Sequence, residues 1–291
     1  MRSKPDVTIR KPTIMSGLYL VATPIGNLGD LSVRTIEILQ TVDVIACEDT
    51  RITSKILNKY AIKNKKLTYH EHSAERTRLT LINMISSGKS VALVSDAGTP
   101  IISDPGYKLV RECIEKNFNI TAIPGANAAI TGLILSGLPA NRFMFVGFLS
   151  SKKNQRDKEL AELSCVQTTL IFYESPRRLV TTLRSMLAFL GDRPAAVARE
   201  LTKRHEEIRR ESISLLLDYY HGIAPPKGEI VIVVGPPLKK NNLSNSDLDA
   251  LILKQLQTLS VRDATAKLAF DTKLPKRHIY SRAIKLFKSQ S

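Results

Sequence analysis

Apolar and polar positions alternate along the chain in a repeating order of short apolar runs and longer amphipathic stretches. Leu18 to Ala22 forms the first run, and Val33, Ile36 and Leu39 follow at three-residue spacing, which predicts a strand and then a helix. The series continues with a strand over Val42 to Ala46, a helix over Thr53 to Tyr60, a short strand near Leu67 and a helix over Arg76 to Ser86. Then come a strand over Val91 to Val94, a helix from Pro105 and a strand over Ile120 to Ile123. Strands separated by helices imply a parallel sheet. Val91 to Val94 is apolar at every position, as a strand covered on both faces must be, and is expected at the centre.

A second set of strands is predicted at Arg142 to Phe148, Thr169 to Tyr173, Ala195 to Ala198 and Ile230 to Val234. Helices are predicted between them over Asn154 to Leu163 and Pro176 to Leu190. An almost wholly apolar helix from Ala126 to Leu138 separates the two sets, and Gly137 and Pro139 suit its end. The reading is two α/β domains, residues 17–138 and 139–236, behind a leader of residues 1–16 without fixed structure. After Gly235-Pro236-Pro237 the chain turns polar, which sets residues 237–291 apart as a linker and a helical tail. Ser260-Val261-Arg262-Asp263 reads as a capping box, and Pro275 suits the first turn of a following basic helix, together resembling a helix-turn-helix. A solvated helical cap is the competing reading of the tail.

Charge narrows the partners. The net charge is +16, and residues 236–291, with 11 Lys and Arg against 4 Asp and Glu, carry +7 of it. Such an excess favours a polyanion, nucleic acid before membrane. No stretch approaches the roughly 20 apolar residues that span a bilayer, and residues 1–16 lack the apolar segment of a secretory signal, so a cytoplasmic location is expected. Cys47, Cys113 and Cys165 are far apart and odd in number, which argues for reduced core thiols over a disulfide framework.

Several chemistries fall away. Gly88-Lys89-Ser90 lacks the upstream glycine of a phosphate-binding loop, the position being Asn83, and neither the dinucleotide fingerprint nor the serine-hydrolase elbow occurs. His70-Glu71-His72 puts two imidazoles on one face of a strand, but nothing nearby completes a four-ligand set, so no metal is expected. Asp104 before Pro105 reads as a helix cap. What survives is a set of turn-rich segments after predicted strands: Thr23 to Asn27, Asp96 to Pro100 and Pro124 to Ala126. In an open parallel sheet such loops converge on one rim, where ligands bind. Glu48-Asp49-Thr50-Arg51 brings two carboxylates and a guanidinium to another strand end, a costly grouping unless paired or used.

The order of motifs is specific. Thr23-Pro24-Ile25-Gly26-Asn27, Cys47-Glu48-Asp49-Thr50-Arg51 and Ser95 to Pro100 with Ser103-Asp104-Pro105-Gly106 are followed by Phe172-Tyr173-Glu174-Ser175, Ala198 to Lys203 and Lys227-Gly228-Glu229. Over residues 17–236 this resembles the bacterial ribosomal RNA small subunit methyltransferase I family of the tetrapyrrole methylase superfamily. The resemblance implies two α/β domains flanking an S-adenosylmethionine cleft, a homodimer, and 2'-O-methylation of a cytidine in the decoding region of 16S rRNA in the 30S subunit. It assigns the cofactor to Pro24, Gly98, Thr99, Pro100, Ile102, Ser103, Ala128, Ala129, Tyr173, Glu174, Ala198, Arg199, Gly228 and Glu229. Thr99 replaces the superfamily's aspartate, which puts weight on backbone contacts there. Two further departures are Ala126-Asn127, in place of Pro and a small residue, which bears on how firmly the cofactor loop is held, and Ser73, where Asn is common.

Methyl transfer is a positioning problem, and a base is useful without being required. Glu48, Asp49 and Lys203 are the candidates to take a ribose proton, with an Arg51 ion pair as the alternative role for the two carboxylates. Arg51, Lys152, Lys153, Arg156, Arg177, Arg178, Lys276, Arg277 and Arg282 are the candidate phosphate contacts. Two other functions remain open at this level: a methylase of a small tetrapyrrole-like substrate, and a non-catalytic nucleic-acid-binding protein.

Overall fold

The computed structural model describes residues 14–70, 74–237, 245–272 and 276–288, so most of the expected leader, together with Glu71, His72, Ser73 and Pro275, lies outside the described residues. The chain divides into two compact units, Met1–Pro237 and Leu238–Ser291.

The larger unit contains two five-stranded sheets. The first is made of β1 (Gly17–Val21), β2 (Val44–Cys47), β3 (Lys65–Thr68), β4 (Ser90–Val94) and β5 (Ile120–Ile123), in the order β3-β2-β4-β1-β5. Every pairing in it is parallel. The crossovers are α1 (Val33–Thr41), α2 (Thr50–Lys59), α3 (Ala74–Ser86) and α4 (Tyr107–Glu115). The period of two along β2 sorts its side chains between faces: Ile45 and Cys47 pack with Ile38, Leu39 and Leu57 of α1 and α2, while Val44 and Ala46 pack with Leu81, Ile82, Leu109 and Cys113 of α3 and α4. β4 is buried at every position, as its unbroken apolar run requires.

α5 (Ala128–Ser136) leads to the second sheet, β6 (Phe143–Phe148), β7 (Thr169–Glu174), β8 (Pro194–Arg199), β9 (Glu207–Ser212) and β10 (Ile230–Val234), in the order β6-β7-β10-β8-β9. This sheet is mixed: only β6 and β7 run parallel. The sequence pattern misses β9, whose Glu-Ile-Arg-Arg-Glu-Ser is too charged to read as a strand and is suited to a sheet edge. Helices α6 (Lys153–Leu163), α7 (Leu179–Leu190) and α8 (Ile213–His221) cover one face with Leu160, Leu183, Met186, Leu216 and Tyr220. The opposite face is covered by α5, whose Ala129 and Leu133 pack with Ile171, Ala198, Val231 and Val233. α5 ends as the sequence indicates, with Gly137 left-handed at φ 71°.

The smaller unit is three helices, one more than the sequence pattern predicts: α9 (Asn245–Leu256), α10 (Val261–Thr272) and α11 (Lys276–Lys288). Leu248, Ile252, Leu268, Ile279 and Ala283 form its core. The Ser260 half of the capping box is seen: Asp263 N–H donates to Ser260 Oγ at 3.2 Å, and Ser260 Oγ in turn donates to Asp263 Oδ2 at 2.7 Å.

The seam between α5 and the second sheet depends on a missing side chain. A Cβ on Gly132 would lie 2.8 Å from Val231 Cγ1. Gly132→Val is therefore expected to lower the unfolding free energy by about 1–3 kcal/mol, read as a lower urea midpoint with unchanged slope.

Candidate active site

The carboxyl ends of β1, β4 and β5 meet on one rim, and backbone hydrogen bonds fix the loops that leave them. Thr23 N–H donates to Gly98 O at 2.8 Å and Gly98 N–H to Thr23 O at 3.1 Å, a two-residue antiparallel bridge between the loops after β1 and β4. Thr23 Oγ1 donates to Ser95 O at 3.1 Å. Beyond the bridge the chain bends sharply, with positive φ at Gly98 (78°), Ile101 (77°), Ser103 (64°) and Gly106 (140°). Gly98 and Gly106 accommodate this as glycines, while Ile101 and Ser103 carry strain, a concentration typical of ligand-holding loops. Ala126-Asn127 holds this loop firmly: Asn127 Oδ1 caps α5 by accepting from Ile130 N at 3.1 Å, Asn127 Nδ2 donates to Thr99 Oγ1 at 3.2 Å, and Thr99 Oγ1 donates to Ala126 O at 3.3 Å.

The second sheet closes the other side. After β8 the backbone turns through Glu200 and Thr202, both at positive φ, and presents Leu201. Lys203 Nζ donates to Glu200 Oε1 at 2.8 Å and to Glu229 Oε2 at 3.0 Å. Its stem lies so close to Gly26 that a Cβ there would be 2.3 Å from Lys203 Cγ. Gly228 meets Glu200 in the same way, with 2.1 Å from an added Cβ to Oε1. These two glycines are where backbone and side chain must nearly touch.

Between the two sets of loops lies a cavity of roughly 340 Å³, a size suited to a small organic ligand. Of the cofactor positions the resemblance assigned, Gly98, Thr99, Ile102, Ser103, Ala128, Tyr173, Glu174, Gly228 and Glu229 line it. Pro24 and Pro100 are buried and do not line it. Ala129 and Ala198 belong to the same apolar cluster as the cavity-lining Ile25, Leu201 and Val231. Arg199 turns away, its guanidinium donating to Glu207 Oε2 at 2.8 Å and Lys227 O at 3.2 Å. The cofactor assignment missed Ile25, Ala97, Asn127, Phe148, Ser175, Pro176, Leu201, Ile230 and Val231, although most lie within or beside the motifs. Tyr173 is packed edge-on by Phe145 and Phe148, and burial pushes its hydroxyl up from the ordinary phenol value. Glu174 is held by Ser175 N–H, Thr182 Oγ1 and Arg178, so its carboxylate braces the wall.

Asp104 is not a helix cap. The residue capping α4 is Gly106, and Asp104 lines the cavity. Burial first, then the charge of Glu48, pushes its carboxyl up to about 6. The three proposed proton acceptors separate clearly. Asp49 accepts from Arg51 N–H and pairs with the guanidinium, which pull it down to about 2. Burial alone would lower Lys203, but its bonds to Glu200 and Glu229 outweigh that and raise it, so the ammonium stays charged at neutral pH. Glu48 is half-buried and acts on Asp104.

The expected phosphate contacts are also sorted. Arg156 is buried, its Nε donating to Ser185 Oγ at 3.1 Å, which corrects its assignment to an outer surface. Arg178 is half-buried and donates to the carbonyls of Leu149 and Ser150 at 2.7 and 3.0 Å, and in the smaller unit Arg282 is gripped by Asp249. Both cations hold the fold. Lys153 pairs with Asp157, while Arg51, Lys152, Arg177, Lys276 and Arg277 are exposed. Cys165 is exposed, unlike the buried Cys47 and Cys113. Among the described residues no cluster of three metal-ligating side chains occurs and no helix is long and apolar enough to cross a membrane.

The sequence profile of the Tetrapyrrole (Corrin/Porphyrin) Methylases matches residues 17–216, and this chain belongs to that family. Relatives named ribosomal RNA small subunit methyltransferase I are 45% identical in Mesorhizobium japonicum, with 92% of each chain covered, and 44% identical in Synechocystis, with 94% of this chain and 99% of that one covered. The fold is similar to that of a cobalt precorrin-4 methyltransferase (TM-score 0.57, 18% identity, 75% of this chain and 94% of that one). It is also similar to that of a Thermus thermophilus uroporphyrin-III C-methyltransferase complexed with S-adenosylhomocysteine (TM-score 0.54, 17% identity, 75% and 97%).

Holding the Asp104 carboxyl near 6 favours its protonated form in the fold. The folded state therefore binds the extra proton between about pH 4 and pH 6, and stability falls as pH rises through that window. Asp104→Asn is expected to be more stable than the wild type by on the order of 2 kcal/mol at pH 8, with the gain gone at pH 4, in paired thermal melts.

Proposed function

We infer that this protein is an S-adenosylmethionine-dependent methyltransferase of small-subunit ribosomal RNA, and that its acceptor is a cytidine 2'-hydroxyl of the decoding region. The observation that carries the reading is a strand-end cavity lined by the turn-rich motifs, in a chain 44–45% identical over more than nine-tenths of its length to proteins named ribosomal RNA small subunit methyltransferase I. The donor set suits the cofactor. Ile25, Ala128, Leu201 and Val231 offer apolar walls for an adenine, and the strained Gly98–Ser103 loop offers backbone amides and carbonyls. Asp104 and Glu229 supply negative charge in a chain of net +16, which favours a cationic ligand over a phosphate. When bound, S-adenosylmethionine supplies an electrophilic methyl group.

The chain's own contribution is orientation. The Thr23–Gly98 bridge and the Asn127 cap fix one wall, and the Lys203–Glu200–Glu229 group fixes the other, so the reacting groups meet in a pre-set geometry. Glu48, half-buried beside the cavity-lining Asp104 whose carboxyl its charge pushes up, is our choice to take the hydroxyl proton. The acceptor approaches in the cytoplasm as part of the 30S subunit. We further infer a homodimer, supported by the edge strand β6, which leaves Phe143 and Met144 exposed; apolar edges of this kind are normally covered.

Labelled S-adenosylmethionine incubated with 30S subunits, naked 16S rRNA or a porphyrinoid should label the RNA, with the modified nucleotide resisting alkaline cleavage on its 3' side. Label in the porphyrinoid alone would overturn the acceptor. Glu48→Gln should lower kcat by about 10²-fold or more while cofactor affinity stays unchanged; full turnover would remove Glu48 from the mechanism.

A further inference from the structure

With Arg156, Arg178 and Arg282 committed to internal contacts, the cations that meet RNA must be sought elsewhere. Thr50 to His70 contains six Lys and Arg and no Asp or Glu. Arg51, Lys55 and Lys59 recur at four-residue spacing and so share one face of α2. The opposite face buries Thr53, Ile56 and Leu57, which leaves the three cations exposed. Lys63 and Lys65 continue the exposed positive charge into β3, the edge strand of the first sheet.

This is not an ordinary solvated helix face. On α4 and α6 a cation faces an acid one turn on, Arg111 with Glu115 and Lys153 with Asp157. On α2 each cation faces another cation, an arrangement that destabilises an isolated helix. Among the described residues no carboxylate pairs with Lys55, Lys59, Lys63 or Lys65 within 4.0 Å, and Arg51 alone on this face has an acid, Asp49. The stripe also points somewhere. α2 is capped by Asp49, whose N–H donates to Asp96 Oδ1 at 3.0 Å, and Ala97, which follows Asp96, lines the cavity. From Arg51 to Lys59 the charges run about 12 Å along the helix, a length that spans roughly three phosphates of one strand.

We propose that the exposed face of α2 and the turn into β3, carrying Arg51, Lys55, Lys59, Lys63 and Lys65, is a phosphate-contact track that guides an RNA strand to the cavity. The proposal rests on the reading of this protein as an RNA methyltransferase. A regular row of cations in which Ile52 is the one large apolar side chain of α2 left exposed suits a nucleic-acid backbone better than a lipid surface, which rewards apolar insertion.

The test uses the full chain, 30S subunits and naked 16S rRNA, and compares the wild type with Lys55→Gln/Lys59→Gln/Lys63→Gln/Lys65→Gln. A control carries the same charge loss elsewhere: Lys89→Gln/Lys108→Gln/Lys116→Gln/Lys158→Gln. Affinity is measured across a salt series. The track variant should lose about 3 from the magnitude of the slope of log K against log salt and bind at least 10-fold more weakly at 0.1 M salt, with a thermal midpoint no lower than that of the wild type and unchanged S-adenosylmethionine affinity. The control should keep the wild-type slope within about 1. An unchanged slope in the track variant, or an equal loss in the control, overturns the track while leaving the methyltransferase reading intact. Loss of binding to anionic phospholipid vesicles with an unchanged RNA slope assigns the face to a membrane and overturns it also. A wild type that transfers no methyl group to either RNA removes the function on which the proposal stands.

Discussion

The architecture depends on one apolar seam. α5 leaves the first sheet and lies with Ala129 and Leu133 against Ile171, Ala198, Val231 and Val233 of the second. Gly132 lets the helix approach within contact of Val231, so α5 and the second sheet share one apolar cluster. Ile25 and Leu201 extend that cluster into the cavity. The ligand-sized space is thus an unfilled end of a packed core, and its walls are as rigid as the core itself.

Charge is distributed in two opposed patterns. The chain as a whole is strongly basic, yet the cavity and its neighbourhood gather Asp104, Glu229, Glu48 and Asp96. Crowded carboxylates raise one another's proton affinity, as Glu48 does for Asp104, and such clusters concentrate at functional sites. In the proposed reaction a small cation would be drawn inward and a polyanion met at the outside, so the two substrates of a methyl transfer would not compete for one site.

Most of this was legible in the sequence where a signal was local. The apolar run of β4, the turn-rich loops after β1 and β4, the Gly137 helix end and the Ser260–Asp263 capping box each follow from adjacent residues. What was not legible depends on partners distant along the chain. Arg156 is assigned to the interior by Ser185, 29 residues away, and Arg282 to an ion pair by Asp249, 33 residues away. Strand β9 is recognisable only through its pairing with β8, because its own residues are those of a charged edge. Asp104 looked like a cap because Asp-Pro often opens a helix, whereas Ser103 at positive φ delays α4 to Tyr107 and turns the carboxylate to the cavity.

The loop from Gly98 to Gly106 has one more consequence. Ile101 and Ser103 hold backbone conformations that cost on the order of 1–3 kcal/mol each, and they persist because the Thr23 bridge and the Asn127 side chain leave no alternative. The freedom that a mobile loop surrenders on meeting its ligand is here surrendered when the chain folds. Association at this rim therefore carries little ordering entropy, and its heat-capacity change reports the apolar surface covered by the ligand rather than a segment being tamed.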